Sequence, residues 1–523
     1  MTHPFAQQKW DVIVIGTGMG GGTVGRALAE AGKKVLFVEF GRAGKRSEIN
    51  GLSETILPNA RLARGLWPMP MSVSLNGNTS EFFAPIGAGV GGSSVFYAAT
   101  LERPERHDLE TTDTMPHPTG GWPNGFDDMR PWYDEAYKRF QVYGAPDPLS
   151  KEPAATLQEP PAFNDTENAL IDGFQRAGAH PYHAHTALVP GTDCNDCLGR
   201  KCANPECKMD GRSAGVEPAL KTGNAALLTG AKVTRLLGAN PSIEGVEVRH
   251  NGQTFNLTAD QYVLAAGALN SPRILLASKN EAWPNGPCNE NDLVGRNLMF
   301  HLNELFAFWP KGKVETPKPT KAISVRDFYA RDGQRFGTLQ AMGIKASYGE
   351  IHHYLCLMMA RSRIGSSRLA RELARIPAAL AEKLCGHAQI FVGLMEDLPY
   401  RENRVLFDQA APDQIKVEYQ FHDELLKRRK AFRRAILKGT KGMRRAPISL
   451  GAELNYGHPS GTLCFGTDPK NSVLNRDCRA HNIKNLWVAD ASFMPTSMGV
   501  NPSLTIAANA LRVADQMIST KED

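Results

Sequence analysis

Cys194, Cys197, Cys202 and Cys207 follow a C-x2-C-x4-C-x4-C spacing, while Cys288, Cys356, Cys385, Cys464 and Cys478 are scattered. Four thiolates in one short loop can hold an iron–sulfur cluster or a tetrahedral zinc ion. They can equally pair as disulfides or stay free, and the spacing leaves these readings open. A second chemistry-bearing stretch opens the chain, where Gly16, Gly18 and Gly21 form a GxGxxG pattern. Glycines at that spacing let a backbone turn closely around a diphosphate.

The elements that must position this turn are legible. Asp11–Ile15 (DVIVI) is a β-branched run of the buried parallel-strand kind. Val24, Leu28 and Ala31 then recur at helical spacing, Gly32 ends the helix, and Val35–Glu39 (VLFVE) is a second strand. Gly16 permits the tight turn, Gly18 admits the pyrophosphate, and Gly21 lets helix and strand pack closely. The helix N-terminus offers unpaired N–H groups to the diphosphate. Glu39 is placed to accept ribose hydroxyls, which disfavours a 2′-phosphate and leaves NAD or FAD. A second glycine loop, Ile86–Thr100 (IGAGVGGSSVFYAAT), can wrap the other side of the same diphosphate.

This second loop carries a resemblance. Gly87-Ala-Gly89-Val-Gly91-Gly92-Ser93-Ser94, followed by Arg103-Pro104, resembles the first signature of the glucose–methanol–choline (GMC) oxidoreductases. Gly267-Ala-Leu-Asn-Ser271-Pro272 through Ser278 resembles the second signature, with Ser278-Lys279 where Ser-Gly is usual. Leu293–His301 resembles a following family segment, and the closing GVNPSLTI resembles that of cholesterol oxidase and its bacterial relatives. The resemblance implies FAD as the dinucleotide. Phe96 stands where covalently flavinylated members carry a histidine, so the flavin is expected to be non-covalent.

The resemblance also implies the catalytic residues. His458-Pro-Ser-Gly461-Thr462 and Gly499-Val-Asn501-Pro502-Ser-Leu-Thr505 place His458 and Asn501 as the catalytic pair. Oxidising a CH–OH group to a carbonyl sends a hydride to flavin N5 and releases the hydroxyl proton. An imidazole can take that proton, and an asparagine amide can hold the same oxygen. The cofactor contacts implied are Gly16, Gly18, Gly21, Glu39, Gly89, Gly91, Gly92, Ser93 and Ser94, with Val233, Ala266, Asp490, Ala491, Asn501, Pro502 and Thr505 from later segments. His301, His352, His353, His387 and His481 are structural by default, with His301 also a candidate pocket residue.

The expected class is α/β, or α+β overall: a Rossmann-like FAD-binding domain with an inserted substrate domain on an antiparallel sheet. The FAD-binding domain takes 1–110, 205–300 and 450–523; 111–204 connects and carries the cysteine loop, and 301–449 binds substrate. Gln389–Leu394 and Ile415–Phe421 alternate as strands. Ser366–Leu384 predicts an amphipathic surface helix interrupted at Pro377. Leu369, Leu373, Ile376 and Leu380 would pack on the substrate domain, opposite Arg368, Arg371 and Arg375.

A net charge of +6 on 523 residues argues against nucleic acid as a partner. The N-terminus lacks a signal-peptide pattern and no apolar run is long enough to span a bilayer, so a cytoplasmic protein without membrane contact is expected. The reading is an FAD-dependent alcohol dehydrogenase or oxidase acting on a small alcohol, sugar or cyclic alcohol. Its electron acceptor (oxygen, a quinone or a redox protein) stays open. The alternatives are a lyase on the GMC fold, or a flavoprotein whose cysteine loop binds metal for partner assembly.

Overall fold

The structure is a computed structural model and describes residues 3–44, 46, 57–152, 156–191, 198–312, 320–331, 333–345, 348–360 and 367–520. The strand Trp10–Ile15 (β1), the helix Met19–Glu30 (α1) and the strand Val35–Glu39 (β2) form the first βαβ unit. β1 lies at the centre of a five-stranded parallel sheet, between Ala259–Leu264 and β2, with Leu486–Val488 and Ala225–Thr229 at the edges. Central parallel strands are covered on both faces, which is why Ile13, Val14, Leu36 and Phe37 are fully buried. Burying side chains of this size stabilises the fold by about 1.5–3 kcal/mol each. α1 packs against the C-terminal helix Ser503–Ser519, so the two ends of the chain share one core.

The second large sheet is antiparallel. Met299–Phe308 pairs with Gln389–Met395, which pairs with Gly337–Lys345, followed by Ile323–Val325 and Tyr182–His183. On its other side Met299–Phe308 pairs with Arg445–Pro447 and Glu453–Ser460. The helix Asp423–Gly439 covers this sheet through Leu425, Phe432 and Ile436, which join the same core as Phe391. The fold is therefore a parallel nucleotide-type sheet joined to an inserted antiparallel one. Strands reach the antiparallel sheet from both sides of 301 and of 450, and Met299–Phe308 and Glu453–Ser460 connect the two layers.

Two expectations need correction. Lys416–Tyr419 is a strand, but it pairs in parallel with Met71–Leu75 in a separate four-stranded sheet. The amphipathic segment breaks at Ala374, not Pro377, giving Arg368–Leu373 and Arg375–Cys385. Pro377 sits in the first turn of the second helix, where its missing N–H removes no helical bond. The packed side is also reversed. Ala374 and Ala378 are buried, whereas Leu369, Leu373, Ile376 and Leu380 are 60–76% exposed. Small alanines allow close backbone approach, and the leucine stripe is left facing solvent.

Candidate active site

A single cavity of about 1230 Å³ runs from the carboxyl ends of the parallel strands to one face of the antiparallel sheet. At its nucleotide end the backbone does the building. Gly16 has φ +99°, and a Cβ there would lie 2.4 Å from the Ala265 carbonyl oxygen. Gly18 has open space where a Cβ would be, so the turn stands clear for a ligand. A Cβ on Gly92 would come within 2.9 Å of the Gly18 Cα, so the two glycine loops meet at the cavity wall. Ser94 Oγ donates to the Gly91 carbonyl at 2.6 Å and accepts from Gly211 N–H at 2.9 Å. Ser93 Oγ accepts from Gly87 N–H at 2.9 Å, which pins the second loop.

Two buried acids organise this end. Glu39 accepts from the Thr17 amide (3.1 Å) and hydroxyl (2.6 Å) and from Gly41 N–H (2.9 Å), and burial raises its pKa. Asp490 accepts from Gly267 N–H at 2.8 Å and Ser492 N–H at 2.9 Å, together with the hydroxyls of Ser271 and Ser492. Burial raises its pKa as well. It ties the loop after Ala259–Leu264 to the segment after Leu486–Val488.

Gly16, Gly18, Glu39, Gly92, Ser93, Ser94, Val233, Ala266, Asp490, Ala491, Asn501, Pro502 and His458 all line this one cavity. Four expected cofactor contacts do not. A Cβ on Gly21 would lie 2.2 Å from the Gly16 carbonyl oxygen, so Gly21 packs behind the turn. Gly89 bridges to Arg42, and Gly91 donates its N–H to Thr17 Oγ at 3.2 Å. Thr505 is fully buried, its hydroxyl 3.1 Å from that of Tyr133. These residues shape the wall from behind.

At the other end side chains converge. Met299 pairs with Ser460 and His301 with Asn455, so the segment between Asn455 and Ser460 bulges and carries His458 to the cavity. His301 is buried beneath it. Its Nε2 lies 3.0 Å from the Met498 carbonyl oxygen, and its Nδ1 lies 3.2 Å from His458 Nδ1. Burial lowers the His301 pKa to about 4, so near neutral pH the ring carries one proton. A carbonyl only accepts, so that proton is on Nε2 and His301 Nδ1 is a bare acceptor. The contact between the two rings then requires His458 Nδ1 to donate, which leaves His458 Nε2 without a proton. Asn455 Nδ2, at 3.4 Å from His458 Nδ1, is too far to outcompete it. Burial, and then neighbouring His301 and the Lys321 cation, hold the His458 pKa well below the usual imidazole range.

In the same cavity Asn501 is 9% exposed, and its side-chain oxygen is buried without a hydrogen-bond partner among the described residues. A polar atom left so is costly unless a bound group meets it. The open turn at Gly18, the buried acid ending β2 and this orphaned amide oxygen together fit a long dinucleotide. By sequence His301 is structural by default and a candidate for the pocket, and the register that sets it against His458 has no local signal. Phe96 and Tyr97 also line the cavity.

The cysteine loop is only partly described. Cys194 and Cys197 lie outside the described residues. Cys207 is disulfide-bonded, which takes up one of the four sulfurs that a cluster or zinc ion would need. Cys202 is a buried thiol packed against it. Among the described residues no cluster of three or more His, Cys, Asp or Glu side chains is arranged to hold a metal ion. A metal at this loop therefore has no support. Among the described residues no helix is long and apolar enough to cross a membrane.

A nucleotide-type parallel sheet and an inserted antiparallel sheet share one cavity. Family models for GMC oxidoreductases match residues 10–303 and 399–510, and the chain belongs to that family. It is similar to a paromamine 6'-oxidase from Streptomyces fradiae, 27% identical over 538 residues that cover 97% of this chain and 90% of the other. It is also similar to a 2-methyl-1,2-propanediol dehydrogenase from Mycolicibacterium austroafricanum, 25% identical with coverage of 97% and 94%. The crystal structure of pyridoxine 4-oxidase from Mesorbium loti shares the fold with a TM-score of 0.63 at 19% identity, covering 98% and 100% of the two chains.

Proposed function

We propose that this GMC oxidoreductase uses FAD to oxidise a CH–OH group of a small alcohol, sugar or cyclic alcohol to a carbonyl. Gly16, Gly18 and Glu39 would hold the adenosine and diphosphate with Gly92, Ser93 and Ser94, and Asn501 and Pro502 would hold the ring end. FAD, when bound, supplies the acceptor for the hydride leaving the carbon. Phe96 offers no nucleophile for a covalent link, so binding is non-covalent. His458 Nε2 takes the hydroxyl proton as the carbonyl forms, and the Asn501 amide holds the same oxygen. His301 keeps the proton of His458 on the far nitrogen.

The reading rests on one observation: His458 Nδ1 lies 3.2 Å from His301 Nδ1, in the cavity that Asn501 also lines, which leaves His458 Nε2 for the substrate. The relatives' names include an oxidase and a dehydrogenase, so the assay supplies oxygen and, separately, an artificial dye. Anaerobic addition of a suitable alcohol should bleach the flavin absorbance. His458→Ala should retain flavin while turnover falls about 10²–10⁴-fold. Failure of every CH–OH compound to bleach the flavin, or full turnover in His458→Ala, would overturn this reading. Cyanohydrin cleavage without bleaching would point to a lyase instead.

A further inference from the structure

The substrate end of the cavity holds a cation that the proposed chemistry does not use. Lys321 stands just before the strand Ile323–Val325, lines the cavity and is 8% exposed. Among the described residues its ammonium has no hydrogen-bond or ion-pair partner. The acid acting on it is Glu102, whose own carboxylate is already engaged. Arg326 lies 3.0 Å from Glu102, Tyr182 donates to it at 2.9 Å, and His185 N–H donates at 3.2 Å. Burial lowers the Lys321 pKa to about 8, which still leaves the group mostly charged at neutral pH. A buried cation without a direct partner is unfavourable, and Glu102, already engaged by Arg326, relieves it only at a distance.

Its neighbours on the sheet are also unfinished. Gln340 pairs with Val392 and Asn303 with Leu394, so the two strands that flank Gln389–Met395 present Gln340 and Asn303 to the cavity. The side-chain oxygens of both are buried without partners among the described residues. Ser324 pairs with Gln340, which brings the start of that strand, and Lys321 before it, to the same part of the sheet. The ammonium matches a group with one negative charge, and the two buried amide oxygens, which only accept, match hydroxyl donors on the same ligand. A phosphate monoester would leave excess charge unpaired, and a protonated amine would be repelled.

We propose that Lys321 is a specificity-determining residue that pairs with a carboxylate on the substrate, making hydroxy acids the preferred class of alcohol. Gln340 and Asn303 leave acceptor oxygens for the hydroxyls of the same substrate. This rests on the functional reading above for the reaction, but the recognition itself is a binding property. The Lys321 charge also helps keep His458 neutral, so the same side chain serves recognition and the state of the base.

The test uses the FAD-loaded enzyme. Calorimetry compares benzoate with benzamide, which has the same shape without the charge, and kinetics compare 4-(hydroxymethyl)benzoate with its methyl ester. The wild type should favour the charged member of each pair about 10- to 100-fold, as expected for a hydrogen-bonded charge. Lys321→Met should bring both ratios close to one, and Lys321→Arg should retain most of the preference. Lys321→Gln serves the same purpose if the methionine variant does not fold. No charge preference in the wild type, or an undiminished preference in the neutral variants, would overturn the proposal. Lys321-dependent benzoate binding without any flavin bleaching would support this site while sinking the proposed reaction. A variant that loses only its rate of reoxidation by oxygen would place Lys321 with the acceptor and overturn it too.

Discussion

The two ends of the cavity are finished differently. At the nucleotide end the backbone is the recognition surface, and its buried acids are engaged by the protein itself. Glu39 holds Thr17 and Gly41, and Asp490 holds Gly267 and Ser492. At the substrate end the side chains are the recognition surface, and Asn303, Gln340 and Asn501 keep buried oxygens without partners among the described residues. The first end is complete before anything binds, so its tolerance is steric. The second is complete only with a ligand, so its tolerance is electrostatic. Substitutions at the two ends should therefore fail in different ways.

The largest effect is expected at the nucleotide end. Gly21→Ala would place a Cβ 2.2 Å from the Gly16 carbonyl oxygen and 3.0 Å from the Ala265 side chain. Neither neighbour is the free end of a flexible chain, so the turn must shift. We expect about 2–4 kcal/mol of lost stability, seen in denaturant unfolding, together with loss of flavin from the purified protein. A variant that keeps both its flavin and its stability would show that this end is not sterically set.

The substrate end should respond with a smaller, chemical loss. His301→Phe keeps a ring in the space but removes the acceptor that holds the His458 Nδ1 proton. Turnover should fall about 10-fold, roughly the worth of one hydrogen bond near 1.4 kcal/mol. KM should change less than kcat, and flavin content and unfolding should stay near the wild type. His301→Gln, whose side-chain oxygen can accept, should recover part of the loss. Equal loss in both variants would reduce His301 to packing and weaken the contrast between the ends.

The contrast also explains what was legible in the sequence. The first βαβ unit is local: strand, glycine turn, helix and acid follow within Asp11–Glu39 and can be read in order. His458 and Asn501 were reachable only because their short segments resemble family motifs. His301 meets His458 across 157 residues through strand register, which no local spacing encodes. The role proposed for Lys321 has no local signal either, since it depends on which strands line the cavity around it. Motif membership does not say which way a residue faces: Gly21, Gly89, Gly91 and Thr505 stand behind the cavity wall. In Arg375–Cys385 periodicity revealed an apolar stripe, but it could not say that the alanine side would be the buried one.

Asp397 gives the finest test of how the substrate end is held. Its carboxylate accepts from Phe300 N–H at 2.8 Å, one residue before His301, and from Tyr419 O–H at 2.7 Å. Its own N–H donates to Ser497 Oγ at 2.8 Å, one residue before Met498, whose carbonyl His301 contacts. Asp397 thus supports both sides of the His301 contact. Burial raises its pKa to about 7, against about 3.9 for an unfolded chain. Between those values the folded protein keeps a proton that the unfolded chain has released, so Asp397 subtracts stability as pH rises from about 4 to 7. Its contribution is fully present below pH 4 and is lost as the folded group ionises. Asp397→Asn has no such proton to lose. The difference in unfolding free energy between wild type and variant should therefore change by at least about 1 kcal/mol across that window, in the variant's favour at the upper end. Denaturant unfolding of both proteins at pH 4, 5.5 and 7 measures it. Parallel curves would mean that the two donors hold Asp397 ionised throughout, making the support of His301 a fixed charge rather than a titrating one.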